Sequence, residues 1–223
     1  MNPYAAGRVG SPPADASRAA GEQGGSHTLA RGFAALLLAA VLLTVLTACA
    51  PQPAAFNATN ITGATFARDF RLTDHTGQTR TLADYRGKAV LVFFGYTFCP
   101  DVCPTTMGEV SAALKRLGDD AGRVQVLFVT LDPERDTQDL LSRYVPGFDP
   151  RFVGLRGDRA TTEATVKEYR LVAQRVGEGP NYTLDHTAGL YVYDPAGRVR
   201  LFAATAAGPD KLAADLRTLL DGG

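Results

Sequence analysis

The chain has no tryptophan, two methionines, three histidines and three cysteines in 223 residues, and neither sign of charge is in excess. Each shortage closes a route. Three cysteines cannot staple a small disulfide scaffold, so the fold must rest on an ordinary apolar core. Lysine plus arginine equals aspartate plus glutamate at 23 each, which leaves no net positive field to hold a polyanion by counterion release. Nucleic acid is not an expected partner. What remains is a composition of 45% hydrophobic and 21% charged residues, suited to one globular domain with additions. The cysteines, Cys49, Cys99 and Cys103, are not scattered, and their places organise the rest.

Residues 1–32 are rich in Ala, Gly, Pro and Ser without apolar periodicity and are expected to form a disordered extension. Phe33 to Ala48 follows, sixteen residues without a charge, preceded by Arg31 and leading into Leu46-Thr47-Ala48-Cys49. A membrane-spanning helix needs about 20 apolar residues and a signal-peptide core roughly 7 to 15. Residues 33–49 are therefore expected to be an export signal or a membrane anchor. Its end resembles the lipobox of bacterial lipoproteins, in which Cys49 would carry the lipid after cleavage. Either form would hold the following domain at the outer face of the bacterial cytoplasmic membrane. Residues 50–62, APQPAAFNATNIT, read as a flexible linker, and 63–223 as the folded domain.

Within that domain the periodicity changes several times. Phe66 to Thr73 and Gln78 to Leu82 flank the turn residues Asp74-His75-Thr76-Gly77, which predicts an N-terminal hairpin. Lys88–Tyr96 and Arg123–Leu131 are almost continuous apolar runs, the pattern of strands covered on both faces. Pro104 opens a helical pattern that places Met107, Val110, Leu114 and Leu117 on one face and ends at Gly118. Helices are expected over 137–144, 161–171 and 210–220. Phe152–Leu155 is a short apolar run, and strands are expected at Gly189–Asp194 and Val199–Ala204. Alternating strands and helices predict an α/β fold, a mixed central sheet flanked by helices.

The first buried strand runs straight into Phe98-Cys99-Pro100-Asp101-Val102-Cys103-Pro104. Two thiols thus lie between the carboxyl end of a strand and a helix N-terminus, where reactive groups in α/β sheets collect. With Pro104 at the first helical position, Cys103 falls near the N-cap, where backbone N–H groups and the helix dipole favour a thiolate. The sulfurs can close a disulfide or reach one small ion, and spacing does not choose. His186 stands just before the strand Gly189–Asp194, and in a thioredoxin-like sheet that loop packs beside the cysteine loop. Two thiolates and an imidazole suit Cu(I), or a tetragonal Cu(II) site if an oxygen joins. Zinc would want a fourth protein ligand or an open water position, and His75 lies in the predicted turn. Copper is the more economical assignment, with zinc still open.

Three stretches carry a resemblance: Phe94-Gly95-Tyr96-Thr97-Phe98-Cys99-Pro100-Asp101-Val102-Cys103-Pro104, Thr130-Leu131-Asp132-Pro133-Glu134-Arg135-Asp136-Thr137 and Asp185-His186-Thr187. Over roughly Phe66 to Leu220 the chain resembles the Sco/SenC family of thioredoxin-fold copper proteins that help assemble cytochrome c oxidase. The resemblance implies that Cys99, Cys103 and His186 bind one copper ion per domain. It implies delivery of copper to the dinuclear centre of oxidase subunit II, or reduction of that centre's thiols, with another copper carrier or thiol reductase as a further partner. Asp132 matches an acidic residue of the family near the site and reads either as an outer or transient oxygen ligand or as a loop carboxylate before a helix. Asp185 reads either as the residue that orients His186 or as a solvent-exposed loop carboxylate. Phe98 departs from the family, whose members often carry a polar residue or histidine there.

Two other functions compete with a chaperone that is not an enzyme in the turnover sense. An extracytoplasmic thiol-disulfide oxidoreductase would use Cys99 and Cys103 as a redox disulfide and would not need His186. A peroxidase is suggested by Asp69-Phe70-Arg71-Leu72-Thr73-Asp74, yet nothing marks an arginine-supported peroxide pocket.

Overall fold

The computed structural model describes residues 55–205 and 208–223. The expected extension 1–32, the signal or anchor 33–49 with Cys49, and the first part of the linker lie outside the described residues. Two strands form the centre: β4 (Ala89–Gly95), reading AVLVFFG, and β5 (Val124–Thr130), reading VQVLFVT, with every residue buried. They pair in parallel in the register Ala89↔Val124 to Gly95↔Thr130. Successive side chains of a strand point to opposite faces, so each needs cover on both. Leu91 and Phe93 of β4 and Val126 and Phe128 of β5 enter one apolar cluster; Val90, Val92, Phe94, Leu127 and Val129 enter another.

The remaining elements supply that cover. On the first face lie α1 (Val102–Leu117), α2 (Gln138–Tyr144) and α4 (Pro209–Leu220), which bury Met107, Leu114, Leu141 and Leu216. On the second, α3 (Arg159–Glu168) leads into Tyr169, which packs with Tyr191, Tyr193 and Phe94. Two of these hydroxyls are satisfied by backbone: Tyr193 donates to the Ala67 carbonyl at 2.8 Å and Tyr191 to that of Tyr169 at 2.6 Å. The sheet is completed by β1 (Thr59–Asn60), β2 (Arg71–Asp74), β3 (Thr79–Thr81), β6 (Val153–Arg156), β9 (Gly189–Tyr193) and β10 (Val199–Ala204). Its order is β1-β10-β9-β4-β5-β6-β2-β3, with β4, β5 and β6 parallel and the other pairs antiparallel. A mixed sheet flanked by helices is the architecture the sequence predicts.

Four boundaries differ from the sequence reading. The predicted linker does not run free to residue 62: Asp215 accepts from the Asn57 and Ala58 backbone N–H groups at 2.8 and 2.9 Å, and β1 pairs with β10. The N-terminal hairpin is shorter, Arg71–Asp74 against Thr79–Thr81, because Ala67 takes φ 53° and is held over the tyrosines. Helix α1 begins at Val102, not Pro104. The first four N–H groups of a helix lack an intrahelical acceptor, so proline is tolerated anywhere in that turn. Helix α3 starts and ends earlier than 161–171, since Asp158 caps it by accepting from the Thr161 N–H at 2.7 Å and Arg170 turns to φ 51°. One feature had no sequence signal: β7 (Ala173–Val176) and β8 (Thr183–His186) form a separate antiparallel pair outside the main sheet.

Candidate metal centre

Strand β4 ends in Gly95, where the packing leaves no room for a side chain. A Cβ at this position would come within 2.9 Å of the Cys103 sulfur, 3.0 Å of Phe93 and 3.2 Å of Phe128. Its absence lets Cys103, in the first turn of α1, lie fully buried against the strand. Cys99 is half-buried in the preceding loop, where its N–H donates to the Tyr96 carbonyl at 3.2 Å and its Sγ accepts from the Cys103 N–H at 3.4 Å. Both thiols are free. Burial pushes the Cys103 thiol well above its ordinary value, and a backbone hydrogen bond at Tyr96 offsets this only in part. The helix terminus was expected to favour a thiolate here. Desolvation of a sulfur inside the core outweighs it.

His186, the last residue of β8, brings its Nε2 to 3.7 Å from the Cys103 Sγ. Its Nδ1 lies 3.0 Å from the Thr187 carbonyl oxygen. A carbonyl only accepts, so this contact puts the proton on Nδ1 and leaves a lone pair on Nε2, facing the sulfur. The Tyr96 ring stands edge-on to the imidazole at 6.0 Å. Below, the Val172 and Thr187 backbones and the Thr187 hydroxyl close the base of the β7–β8 hairpin, with contacts of 3.0 and 2.9 Å.

Neither acidic candidate is aimed at the sulfurs. Asp185 is exposed and sits on the strand face opposite His186, paired across the hairpin with Gln174. Strand alternation turns it away, and the Thr187 carbonyl takes the orienting role. Asp132 is buried near the site, but both of its oxygens are engaged: Oδ2 by the Arg135 Nε at 2.6 Å and Oδ1 by the Tyr182 hydroxyl at 2.6 Å. As placed, it anchors neighbouring side chains and is not aimed at the sulfurs.

Asp136 is the residue that sequence reasoning passed over. It is wholly buried and accepts from the Thr97 N–H at 3.0 Å, the Thr97 hydroxyl at 2.5 Å and the Thr130 hydroxyl at 2.6 Å. It ties the cysteine loop to the end of β5. Burial pushes its carboxyl up, with the threonine hydrogen bonds pulling the other way. The available signal was a pair of threonines, Thr97 just after β4 and Thr130 at the end of β5, near the same edge of adjacent buried strands.

The structure thus brings Cys103 within 3.7 Å of His186 and sets the Cys99 sulfur 3.4 Å from the Cys103 N–H, in the loop before the helix. Among the described residues, no three His, Cys, Asp or Glu side chains are already gathered closely enough to hold a metal ion. Two sulfurs and one imidazole nitrogen are nevertheless a donor set of the right softness for Cu(I).

Comparison with known proteins places this arrangement. A family model described as SCO1/SenC matches residues 58–221. The mitochondrial SCO2 homolog of Danio rerio is 40% identical over 133 residues, 58% of this chain and 48% of that protein. The human SCO2 homolog is 38% identical over 133 residues, 58% of this chain and 50% of its own length. The chain therefore spans about half the length of these curated relatives. Among solved structures, Bradyrhizobium japonicum ScoI with copper bound is 41% identical with a TM-score of 0.65, covering 70% of this chain and 100% of that one. Apo Sco1 of Thermus thermophilus is 35% identical with a TM-score of 0.67, covering 76% and 100%. These likenesses carry the thioredoxin-like fold expected from the sequence.

Proposed function

This chain belongs to the SCO1/SenC family, and from that premise we propose that it binds one copper ion as cargo through Cys99, Cys103 and His186. In this reading it delivers the ion to the dinuclear copper centre of cytochrome c oxidase subunit II, or prepares that centre's thiols. Residues 33–49 tether it to the outer face of the bacterial cytoplasmic membrane, with Cys49 as the lipid attachment. Among the described residues no helix is long and apolar enough to cross a membrane, so the tether rests on the sequence of that segment.

The observation that carries the reading is the 3.7 Å approach of the His186 Nε2 to the Cys103 Sγ, beside a second free thiol. Support also comes from the relative ScoI, which holds copper in its solved structure. Copper would supply a soft centre able to change charge by one electron. The chain's own residues do the rest. Cys103 gives a sulfur fixed by the core, and His186 gives a nitrogen whose proton is held on the far side by the Thr187 carbonyl. Cys99 gives the second sulfur, from the loop beside the Cys103 N–H, and both thiols must lose protons as the metal enters.

Titration of residues 55–223 with Cu(I) and Cu(II) tests this. One equivalent should bind, with a sulfur-to-Cu(II) charge-transfer band lost in C99A and C103A. H186A should weaken binding by at least about a hundredfold, in line with loss of one metal ligand. Unchanged affinity in H186A would overturn the ligand assignment.

A second reading is favoured by the pair of free thiols, one half-buried and hydrogen-bonded by the other's N–H. As a thiol-disulfide reductase, Cys99 would attack a partner disulfide and Cys103 would then displace it. The partner leaves as a dithiol and Cys99–Cys103 as the disulfide. This reading gains if H186A reduces oxidised subunit II as well as the parent chain does.

A further inference from the structure

Three separate stretches meet at the site: the cysteine loop 96–103, the loop after β5, and the segment 180–186 that carries His186. One side chain touches all three. The Arg135 Nε donates to Asp132 at 2.6 Å, and its Nη1 donates to the carbonyls of Pro180 at 3.2 Å and Tyr182 at 3.0 Å. Its guanidinium carbon lies 3.5 Å from the centre of the Tyr182 ring, 4.7 Å from that of Phe98 and 5.9 Å from that of Tyr96. Phe98 is the residue before Cys99, and Tyr96 stands edge-on to His186. Asp132 closes the ring of contacts by accepting from the Tyr182 hydroxyl. The arginine side chain is only 16% exposed.

We infer that Arg135 is the positioning residue of this centre, a clamp that holds the β7–β8 hairpin, and with it His186, against the cysteine loop. The inference rests on the proposed copper reading for its consequence and on geometry alone for the clamp. The hairpin needs such a device, since it is not part of the eight-stranded sheet and every residue of β7 is exposed. Its core contacts are few, chiefly Leu184 of β8, which packs partly buried against both apolar clusters. A planar guanidinium suits the task because it can stack on two aromatic rings while its edge donates to a carboxylate and two carbonyls at once. Lysine could keep the ion pair with Asp132 and would lose the stack and the fork. Phe98, 54% exposed, takes its meaning here: it gives the guanidinium a second face on the cysteine loop.

The test uses the full chain without copper and then with it. In R135K, hydrogen exchange at the Tyr182–His186 amides should rise about tenfold while β4 and β5 stay unchanged, the loss of roughly one stacked cation–π contact. F98A, altered at an exposed side chain and therefore safe for folding, should raise the same amides by a smaller factor, about threefold. With copper, R135K should weaken binding about tenfold, shift the Cu(II) spectrum toward that of H186A, and add nothing in the H186A background. Hairpin exchange unchanged in both variants overturns the clamp, as does a copper defect of R135K that simply adds to that of H186A. If the parent chain binds no copper, the proposed function fails, and the exchange result still decides for or against the clamp.

Discussion

Cys103 and His186 approach within 3.7 Å of each other, yet they stand on opposite kinds of support. Behind Cys103 are the first turn of a sixteen-residue helix and a strand with all seven residues buried. Asp136 adds three hydrogen bonds at the loop between them and β5. His186 ends a four-residue strand whose partner, β7, is exposed throughout. Local opening costs least where apolar burial is thin and backbone hydrogen bonds face water. The sulfur half is a fixed frame, and the nitrogen half rests on thinner support, chiefly Leu184 of β8 and the Arg135 contacts. For the proposed role, such a division lets the donor count fall from three to two while the fold stays intact.

The comparison breaks if the frame proves soft, so the largest expected effects lie there. Asp136→Ala strips the partners from the Thr97 N–H and from two threonine hydroxyls, and should cost about 3 kcal/mol in urea unfolding. A loss below about 1 kcal/mol would show that the loop is not held as described. Gly95→Ala pushes a methyl into the Cys103 sulfur and should cost about 2 kcal/mol while also weakening Cu(I) uptake. Intact stability and uptake in that variant would mean that Cys103 has room to move.

Acid gives a middle-sized effect, away from the site. Burial raises the Asp74 carboxyl, but hydrogen bonds from Thr76, Arg80 and Gln78 outweigh it and bring it down from 3.8 to about 2. A lowered folded value means stability that is complete above about pH 4 and lost as the pH falls toward 2. After allowance for the exposure of Arg80, about 1–2 kcal/mol should disappear in that window, and D74N should flatten it. The β2–β3 turn should then exchange before α1 does, and simultaneous loss would argue against independent halves. The smallest effect sharpens the contrast from the other side. H186A should change unfolding free energy by less than about 0.5 kcal/mol while abolishing tight copper binding.

The frame was readable from sequence and the hairpin half was not, for physical reasons. Runs such as AVLVFFG and VQVLFVT can only be strands covered on both faces, and a thiol placed after one of them must fall at the sheet's carboxyl edge. Strands β7 and β8 read AQRV and TLDH. Their burial alternates weakly or not at all, so no periodicity marks them. His186 could be tied to the cysteines through the family resemblance and through its place before β9, while its hairpin could not be seen. Asp136 looked like an ordinary loop carboxylate because its partners come from residues 39 and 6 positions away. Asp185, adjacent to the histidine in sequence, reads either as its orienting partner or as an exposed carboxylate, and strand alternation selects the second. Thr59 and Asn60 had the composition of a linker, and only pairing with β10 makes them a strand.

Asp215 has a mechanical consequence as well. Its carboxylate gathers the Asn57 N–H, the Asn57 side-chain amide and the Ala58 N–H, and only the two residues of β1 follow before the chain bends again. A pull along the N-terminal chain therefore loads this carboxylate in parallel across three bonds, next to the packed Phe56 ring. The domain is gripped at its flank, beside α4, far in sequence from both cysteines.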